Sequence, residues 1–159
     1  MEGDVAYEEV FGTPVKADGL STDGKGELVA RFQDAFALID SGGICVFFAV
    51  RYVFTKEMMI WPEQLSELLN FATGADYSPE EALQAAERVY NLERLFLIGA
   101  GSGPEQDTLS PRMLHEPMPE GPAIGRVVDL EKMLGEYYNV RNWPGGIPSE
   151  EKLSSLGLT

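Results

Sequence analysis

The segment that most constrains the fold is residues 78–81, with the sequence Ser-Pro-Glu-Glu. It has the pattern of a capping box, in which Ser78 is the N-cap, Pro79 occupies the first helical position and Glu81 bonds back to the N-cap amide. The pattern predicts a helix that stops at Gly99. Its apolar positions recur at helical spacing: Ala82, Ala85, Val89, Leu92 and Phe96.

A second helix is predicted over residues 25–39, where apolar residues again recur on one face. Its candidate N-caps precede it directly: Ser21, Thr22 and Asp23. Gly42 and Gly43 should end it, because glycine adopts backbone angles that other residues avoid. Residues 44–54 are apolar and rich in aromatic and β-branched residues, so a buried strand is possible by propensity. Because a lone strand would have no partner, we favour a buried turn that leads into a helix.

Three further helices are predicted, over residues 61–73, around residues 130–138 and over residues 149–156. Residues 99–126 hold many glycines and prolines and predict a long irregular stretch. Residues 1–20 are interpreted as an extended lead-in, and residues 21–159 as a helical domain. The expected fold class is therefore all-α: an irregular multihelical domain with long loops.

The length of 159 residues suits one domain with a real core. The chain carries 12 Lys and Arg against 26 Asp and Glu, a formal net charge of −14. Because polyanions and anionic membranes would repel it, we expect neither nucleic acid nor a membrane as a partner. A single cysteine excludes an internal disulfide, and the acidic N-terminus does not resemble a signal peptide. We therefore expect a cytoplasmic protein.

The usual catalytic and metal-binding motifs are missing from the sequence. No zinc or calcium spacing occurs, and the glycine-rich segment 99–104 lacks the lysine of a phosphate-binding loop. The single histidine, His115, lies in a proline-rich segment and is more simply read as a surface or capping residue. No residue is assigned a catalytic role.

Residues 40–45, with the sequence Asp-Ser-Gly-Gly-Ile-Cys, are the strongest candidate for a functional site. Taken separately, Asp40 fits a carboxylate at a helix end and Cys45 a buried structural thiol. Taken together, they suggest a cofactor turn. A carboxylate can accept hydrogen bonds from the N–H groups of a pterin, glycines allow a flat ring to approach, and a thiolate can bind iron.

Several segments, in order over roughly residues 20–159, resemble the aldehyde ferredoxin oxidoreductase family. Residues 88–96 are close to its R-x-x-N-L-E-R-x-F segment, and residues 107–117 look like its D-x-L-P-x-R-x-x-E-P loop. The other matching segments are residues 24–34, 40–45, 121–122, 134–143 and 146–158.

The resemblance implies that Cys45 is the fourth ligand of a [4Fe-4S] cluster. It implies that Asp40 binds one pterin of a bis-pterin tungsten or molybdenum cofactor, with Ile44 in contact from the same turn. The family has a helical C-terminal part, oxidises aldehydes to carboxylic acids and passes electrons through the cluster to ferredoxin. The expected partners are thus the cluster- and pterin-binding domains, ferredoxin and an aldehyde.

The sequence departs from the family pattern in one important way. The family's other three cluster cysteines, in a C-x-x-C-x-x-x-C motif, are absent, as are the pterin-cradling domain and the second pterin motif. One thiolate cannot hold a cubane cluster, so this chain alone should be inactive and should complete a shared site. The alternative is a non-catalytic helical interaction module that has lost the cofactor.

Overall fold

A computed structural model describes residues 19–47, 49 and 62–159. Most of the expected lead-in, much of the apolar segment 44–54 and Trp61 lie outside the described residues. Within them the regular elements are six α-helices and two 3₁₀ turns, with no strand, which confirms the all-α prediction. The helices are α1 (Lys25–Ser41), α2 (Pro62–Thr73), α3 (Pro79–Gly99), α4 (Pro111–His115), α5 (Leu130–Arg141) and α6 (Glu150–Ser155).

Helix α3 begins as the capping box predicts. The Ser78 hydroxyl accepts from the Glu81 amide at 3.2 Å, and the Glu81 carboxylate accepts from the Ser78 amide at 2.9 Å. Two of the apolar residues from which the helix was predicted, Leu92 and Phe96, are exposed in its second half. Polar residues on the opposite side, Asn91 and Arg94, are buried instead because they have partners in distant segments.

Helix α1 does not use any of the three expected N-caps. Its N-cap is Gly24, in the left-handed conformation with φ 71°, and it makes no side-chain capping bond. The carboxylate of Glu136 in α5 accepts instead from the amides of Gly24 (3.0 Å) and Gly26 (3.1 Å). These two amides are among the donors that a helix start leaves unpaired. A Cβ at Gly26 would lie 2.5 Å from the Tyr137 nitrogen, so this glycine lets α1 and α5 approach closely.

The core lies where α1 packs on α3 and where α2 packs on α3, and α1 also packs along α5. Its buried members are Leu38, Ile39, Ala49, Leu65, Ala82 and Ala86. The C-terminal end of α1 therefore packs within this core, and the candidate cofactor turn follows directly after it.

The remaining helix predictions agree with the described residues. Helix α2 ends before Gly74, whose φ is 76°, and Ser149 caps α6 by accepting from the Lys152 amide at 3.1 Å. The stretch 99–126 is irregular but includes α4 and the 3₁₀ turn Pro104–Gln106. In the segment 44–54, the described residues Val46, Phe47 and Ala49 are helical, which agrees with a turn that leads into a helix. The expected burial is wrong in part, because Ala49 is buried whereas Cys45 and Phe47 are exposed. A search of the described helices for a membrane-spanning candidate finds none with sufficient length and apolar character.

Candidate cofactor site at the end of helix α1

The turn after α1 is fixed by backbone hydrogen bonds. Gly43 has φ 70°, and its amide donates to the Asp40 carbonyl at 3.0 Å. The Ile44 amide donates to the Ile39 carbonyl at 3.1 Å. These two bonds are the pair that defines a Schellman motif, in which a residue beyond the glycine also packs back on the helix. Ile44 is that residue, and it packs against the core cluster that contains Ile39.

The two candidate ligand side chains, Asp40 and Cys45, are both exposed on this turn. Cys45 is a free thiol, so the expectation of a buried structural cysteine is wrong. No hydrogen-bond donor to the Asp40 carboxylate is found among residues 19–47, 49 and 62–159. A Cβ at Gly43 would meet nothing within 4 Å, so the turn is open beside the glycine. The turn thus presents a carboxylate and a thiol on a rigid backbone.

A groove of about 420 Å³ runs beside Asp40 between α1 and α3. Its walls combine aromatic and aliphatic side chains with two carboxylates: Phe36, Asp40, Val89, Tyr90 and Glu93 are among them. Apolar walls with a few polar groups are typical of sites that bind a small molecule or cofactor. Because no described residue donates to the Asp40 carboxylate, this carboxylate fits a hydrogen-bond acceptor for the N–H groups of a ring.

The chain offers one cysteine thiol as a ligand for an iron–sulfur cluster. Cys45 is the only cysteine in the sequence. In the described segments, no group of three His, Cys, Asp or Glu side chains could hold a metal ion. A cubane cluster is usually held by four thiolates. The residues present therefore fit one ligand of such a cluster and no more. His115 is exposed at the end of α4, in agreement with its interpretation as a surface residue.

Arg94 is a buried residue that connects separate segments of the chain. Buried polar contacts of this kind are here called the framework. The Arg94 guanidinium donates to Asp107 Oδ1 at 3.0 Å and to the Gly146 carbonyl at 3.0 Å through Nε. The Tyr138 hydroxyl donates to the same carboxylate. Burial raises the pKa of Asp107, but the hydrogen bonds from Arg94 and Tyr138 outweigh it, so the pKa lies below its usual value. This contact ties α3 to the irregular stretch and to the turn after α5.

Arg141 is the other buried cation, with 1 % of its surface exposed. It donates to Asp34 Oδ1 at 2.7 Å and to the Ala30 carbonyl at 2.9 Å, both in α1. Its guanidinium carbon lies 4.6 Å from the centroid of the Tyr90 ring, which adds a cation–π contact. Arg141 thereby links α5 to α1, the helix that carries Asp40 near its end.

Comparison with known proteins identifies the family of the chain. The family model for aldehyde ferredoxin oxidoreductase, domains 2 and 3, matches residues 1–158. The chain belongs to the aldehyde ferredoxin oxidoreductase family. It is 44 % identical over 154 residues to the tungsten-containing aldehyde ferredoxin oxidoreductase of Pyrococcus abyssi, covering 94 % of this chain and 24 % of that protein.

Two other relatives show how far the likeness extends. The tungsten-containing aldehyde ferredoxin oxidoreductase of Pyrococcus horikoshii is 43 % identical over 154 residues, with the same coverage. The aliphatic sulfonate oxidoreductase, WOR-like subunit, of Pyrococcus furiosus is 31 % identical over 142 residues, covering 84 % of this chain and 20 % of that protein. The chain spans about a quarter of the length of the aldehyde ferredoxin oxidoreductases that it matches.

The segments that resemble the aldehyde ferredoxin oxidoreductase family now divide into two kinds. Arg94 and Asp107, from two of those segments, meet in the framework, whereas Asp40 and Cys45 lie on the surface. The residues that line the groove beside Asp40 were missed. Phe36 could have been found, since it lies four residues before Asp40 on one helix face, but Glu93 comes from another helix and gave no local indication.

Proposed function

We propose that this chain supplies one edge of a shared cofactor site in an oxidoreductase that converts aldehydes to carboxylic acids. In that reaction an aldehyde and a water yield a carboxylic acid, two protons and two electrons, and ferredoxin takes up the electrons. The observation that carries the proposal is the exposure of Asp40 and Cys45 on one rigid turn, in a chain 44 % identical to a tungsten-containing relative.

Asp40 is assigned to the pterin. Its carboxylate would accept hydrogen bonds from pterin N–H groups, and charge-assisted bonds of this kind are about twice as strong as neutral ones. The open side of Gly43 leaves room for a ring, and Ile44 would contribute apolar contact from the same turn. These side chains do not touch the metal that a pterin carries, so they do not select tungsten over molybdenum.

Cys45 is assigned as one thiolate ligand of a [4Fe-4S] cluster, whose other ligands must come from outside this chain. When bound, the metal–pterin would supply the two-electron oxidation and the cluster would supply the path for electrons toward ferredoxin. The protein's own contribution is to hold Asp40 and Cys45 five residues apart on a fixed backbone. The chain alone is inactive under this proposal. One thiol also suits a reducing, cytoplasmic setting.

Metal analysis tests the Asp40 assignment. The chain would replace the matching quarter of the Pyrococcus abyssi relative, and tungsten and iron would be measured per chimera. We expect Asp40→Asn to lower tungsten occupancy, because an amide is a weaker acceptor and adds N–H donors toward the pterin. Asp76→Asn, which changes an exposed carboxylate in the loop before α3, is the matched control and should leave occupancy unchanged. Equal occupancy in both variants contradicts the assignment.

The alternative is a non-catalytic interaction module. The observation that favours it is the single thiol together with exposed large apolar side chains such as Phe71 and Phe96. It predicts a folded, metal-free chain that acquires no metal beside the remaining domains. Sedimentation combined with metal analysis separates the two functions, because only the oxidoreductase proposal predicts assembly with uptake of iron and tungsten or molybdenum.

A further inference from the structure

The C-terminal half of α3 exposes an apolar patch formed by Leu92, Phe96 and Leu97, here called the α3 patch. Their exposed fractions are 48 %, 73 % and 45 %. Leu92 and Phe96 are four residues apart, so they lie side by side on the helix surface. Burying a phenylalanine or leucine side chain gains about 1.5–3 kcal/mol, so a patch of this kind is typical of an interaction surface.

The α3 patch cannot be buried by a rotation of its own helix. Asn91 and Arg94, on the opposite side of α3, are fixed inside the molecule. The Asn91 side-chain oxygen accepts from Trp143 Nε1 at 2.8 Å, and the Arg94 guanidinium is bonded to Asp107 and to the Gly146 carbonyl. Turning the patch inward would leave these polar groups unpaired, which is costly in a buried position. The described residues 19–47, 49 and 62–159 therefore leave the patch open to a covering surface.

The α3 patch is continuous with the groove beside Asp40. Glu93 borders both, and Val89 extends the same side of α3 along the groove wall. A body that covers the patch therefore also reaches the carboxylate assigned to the pterin. The charged groups along this edge, Asp40 and Glu93, are both acidic.

We propose that the α3 patch is the docking surface for the cofactor-binding remainder of the same oxidoreductase. The inference rests on the proposed function and names the surface that it requires. The relatives have about three quarters of their length outside the matched region, and the ligands missing from the site at Asp40 and Cys45 must come from that part. Their side of the contact should be apolar at its centre and basic at its edge, to complement Asp40 and Glu93.

A second copy of this chain is a poorer occupant. Two copies would bring together formal net charges of −14 each. A two-fold contact through the patch would also bring Asp40 and Glu93 of one copy toward the same carboxylates of the other, since such a contact uses the same surface on both subunits. Like charges placed together across an interface oppose association.

The test measures cysteine alkylation at the patch, peptide by peptide, by mass spectrometry. Phe96→Cys and Leu92→Cys would each be made in the isolated chain and in the chimera with the preceding three quarters of the Pyrococcus abyssi relative. Ile124→Cys is the control, since Ile124 is 65 % exposed in the loop between α4 and α5 and lines neither the patch nor the groove. All three should react at comparable rates in the isolated chain.

In the chimera, alkylation at positions 92 and 96 should slow by about tenfold or more, which corresponds to about 1.4 kcal/mol of protection, while position 124 stays as reactive as before. Equal reactivity at 92, 96 and 124 overturns the docking surface. Iron and tungsten are measured on the same samples. A metal-loaded chimera with an unprotected patch contradicts the surface alone, whereas a protected patch without metal contradicts the proposed function alone.

A second measurement does not depend on the chimera. The chain and the preceding part of the relative would be mixed as separate polypeptides and followed by sedimentation. Phe96→Glu should abolish co-sedimentation, because it puts a charge in the centre of the contact, whereas Ile124→Glu should not. Co-sedimentation of both variants to the same extent overturns the proposal.

Discussion

The turn at residues 40–45 and the buried cations Arg94 and Arg141 belong to one fold but differ in almost every physical respect. Arg94 and Arg141 are buried, and each bonds several acceptors. Asp40 and Cys45 are exposed and rely on backbone bonds for their position. The segments that resemble the family therefore contain both buried contacts and exposed polar groups. Arg94, from residues 88–96, belongs to the buried framework, whereas Asp40 and Cys45, from residues 40–45, are exposed and are the residues proposed to bind a cofactor.

The largest effect on stability is expected from Arg141→Met. It removes a buried cation and leaves Asp34 and the Ala30 carbonyl without their donor. Breaking a buried ion pair from one side costs about 3–5 kcal/mol. Urea unfolding would measure the loss, with Arg112→Met as control, because Arg112 is exposed and its change should stay within about 0.5 kcal/mol. Equal losses would remove the distinction between framework and surface.

The next effect is expected from Gly26→Ala. The added Cβ would lie 2.5 Å from the Tyr137 nitrogen, which is backbone and cannot move aside without separating α1 from α5. Overpacking of this kind costs about 1–3 kcal/mol. Gly135→Ala in α5 is the matched control, since its Cβ would meet nothing within 4 Å and alanine favours a helix by about 0.5–1 kcal/mol. Thermal unfolding should thus shift in opposite directions, and a shared direction would contradict the close approach.

An effect of similar size is expected from Asp107→Asn, and it should depend on pH. The folded-state pKa of Asp107 lies below its ordinary value of 3.8, so its contribution to stability is present above that value and is lost as the pH falls through the folded pKa. The variant should be less stable at neutral pH by about 1–3 kcal/mol, and this difference should shrink in acid. Asp76→Asn is the control. A difference that stays constant with pH would mean that Asp107 is not held ionised by Arg94.

The smallest effects on stability are expected at the candidate site itself. Asp40→Asn and Cys45→Ala change exposed groups, so each should alter the free energy of unfolding by about 0.5 kcal/mol or less. Urea unfolding of the isolated chain would measure both. A loss as large as that of Arg141→Met would place these residues in the framework and would weaken their assignment to a cofactor.

The features that the sequence predicted correctly are local ones. The capping box at Ser78 and the turn at Gly42 and Gly43 involve residues within a few positions of one another, so backbone preferences suffice to find them. The rigid turn, which is the core of the candidate site, was therefore accessible from the sequence.

The features that were missed depend on distant partners. The start of α1 is capped by Glu136, 112 positions from Gly24, and no neighbouring residue indicates this. The burial of Arg94 instead of Phe96 depends on Asp107 and on the Gly146 carbonyl. Apolar spacing identified α3 as a helix, but spacing alone does not say which polar residues will find partners inside.

The central claim is that Cys45 completes an iron–sulfur cluster whose other ligands lie outside this chain. The most direct test is the electron paramagnetic resonance spectrum of the reduced chimera, compared between the unaltered chain and Cys45→Ala, with Ser41→Ala as control. The account predicts that the [4Fe-4S] signal is lost or converted in Cys45→Ala and is retained in Ser41→Ala. An unchanged signal in Cys45→Ala would contradict it.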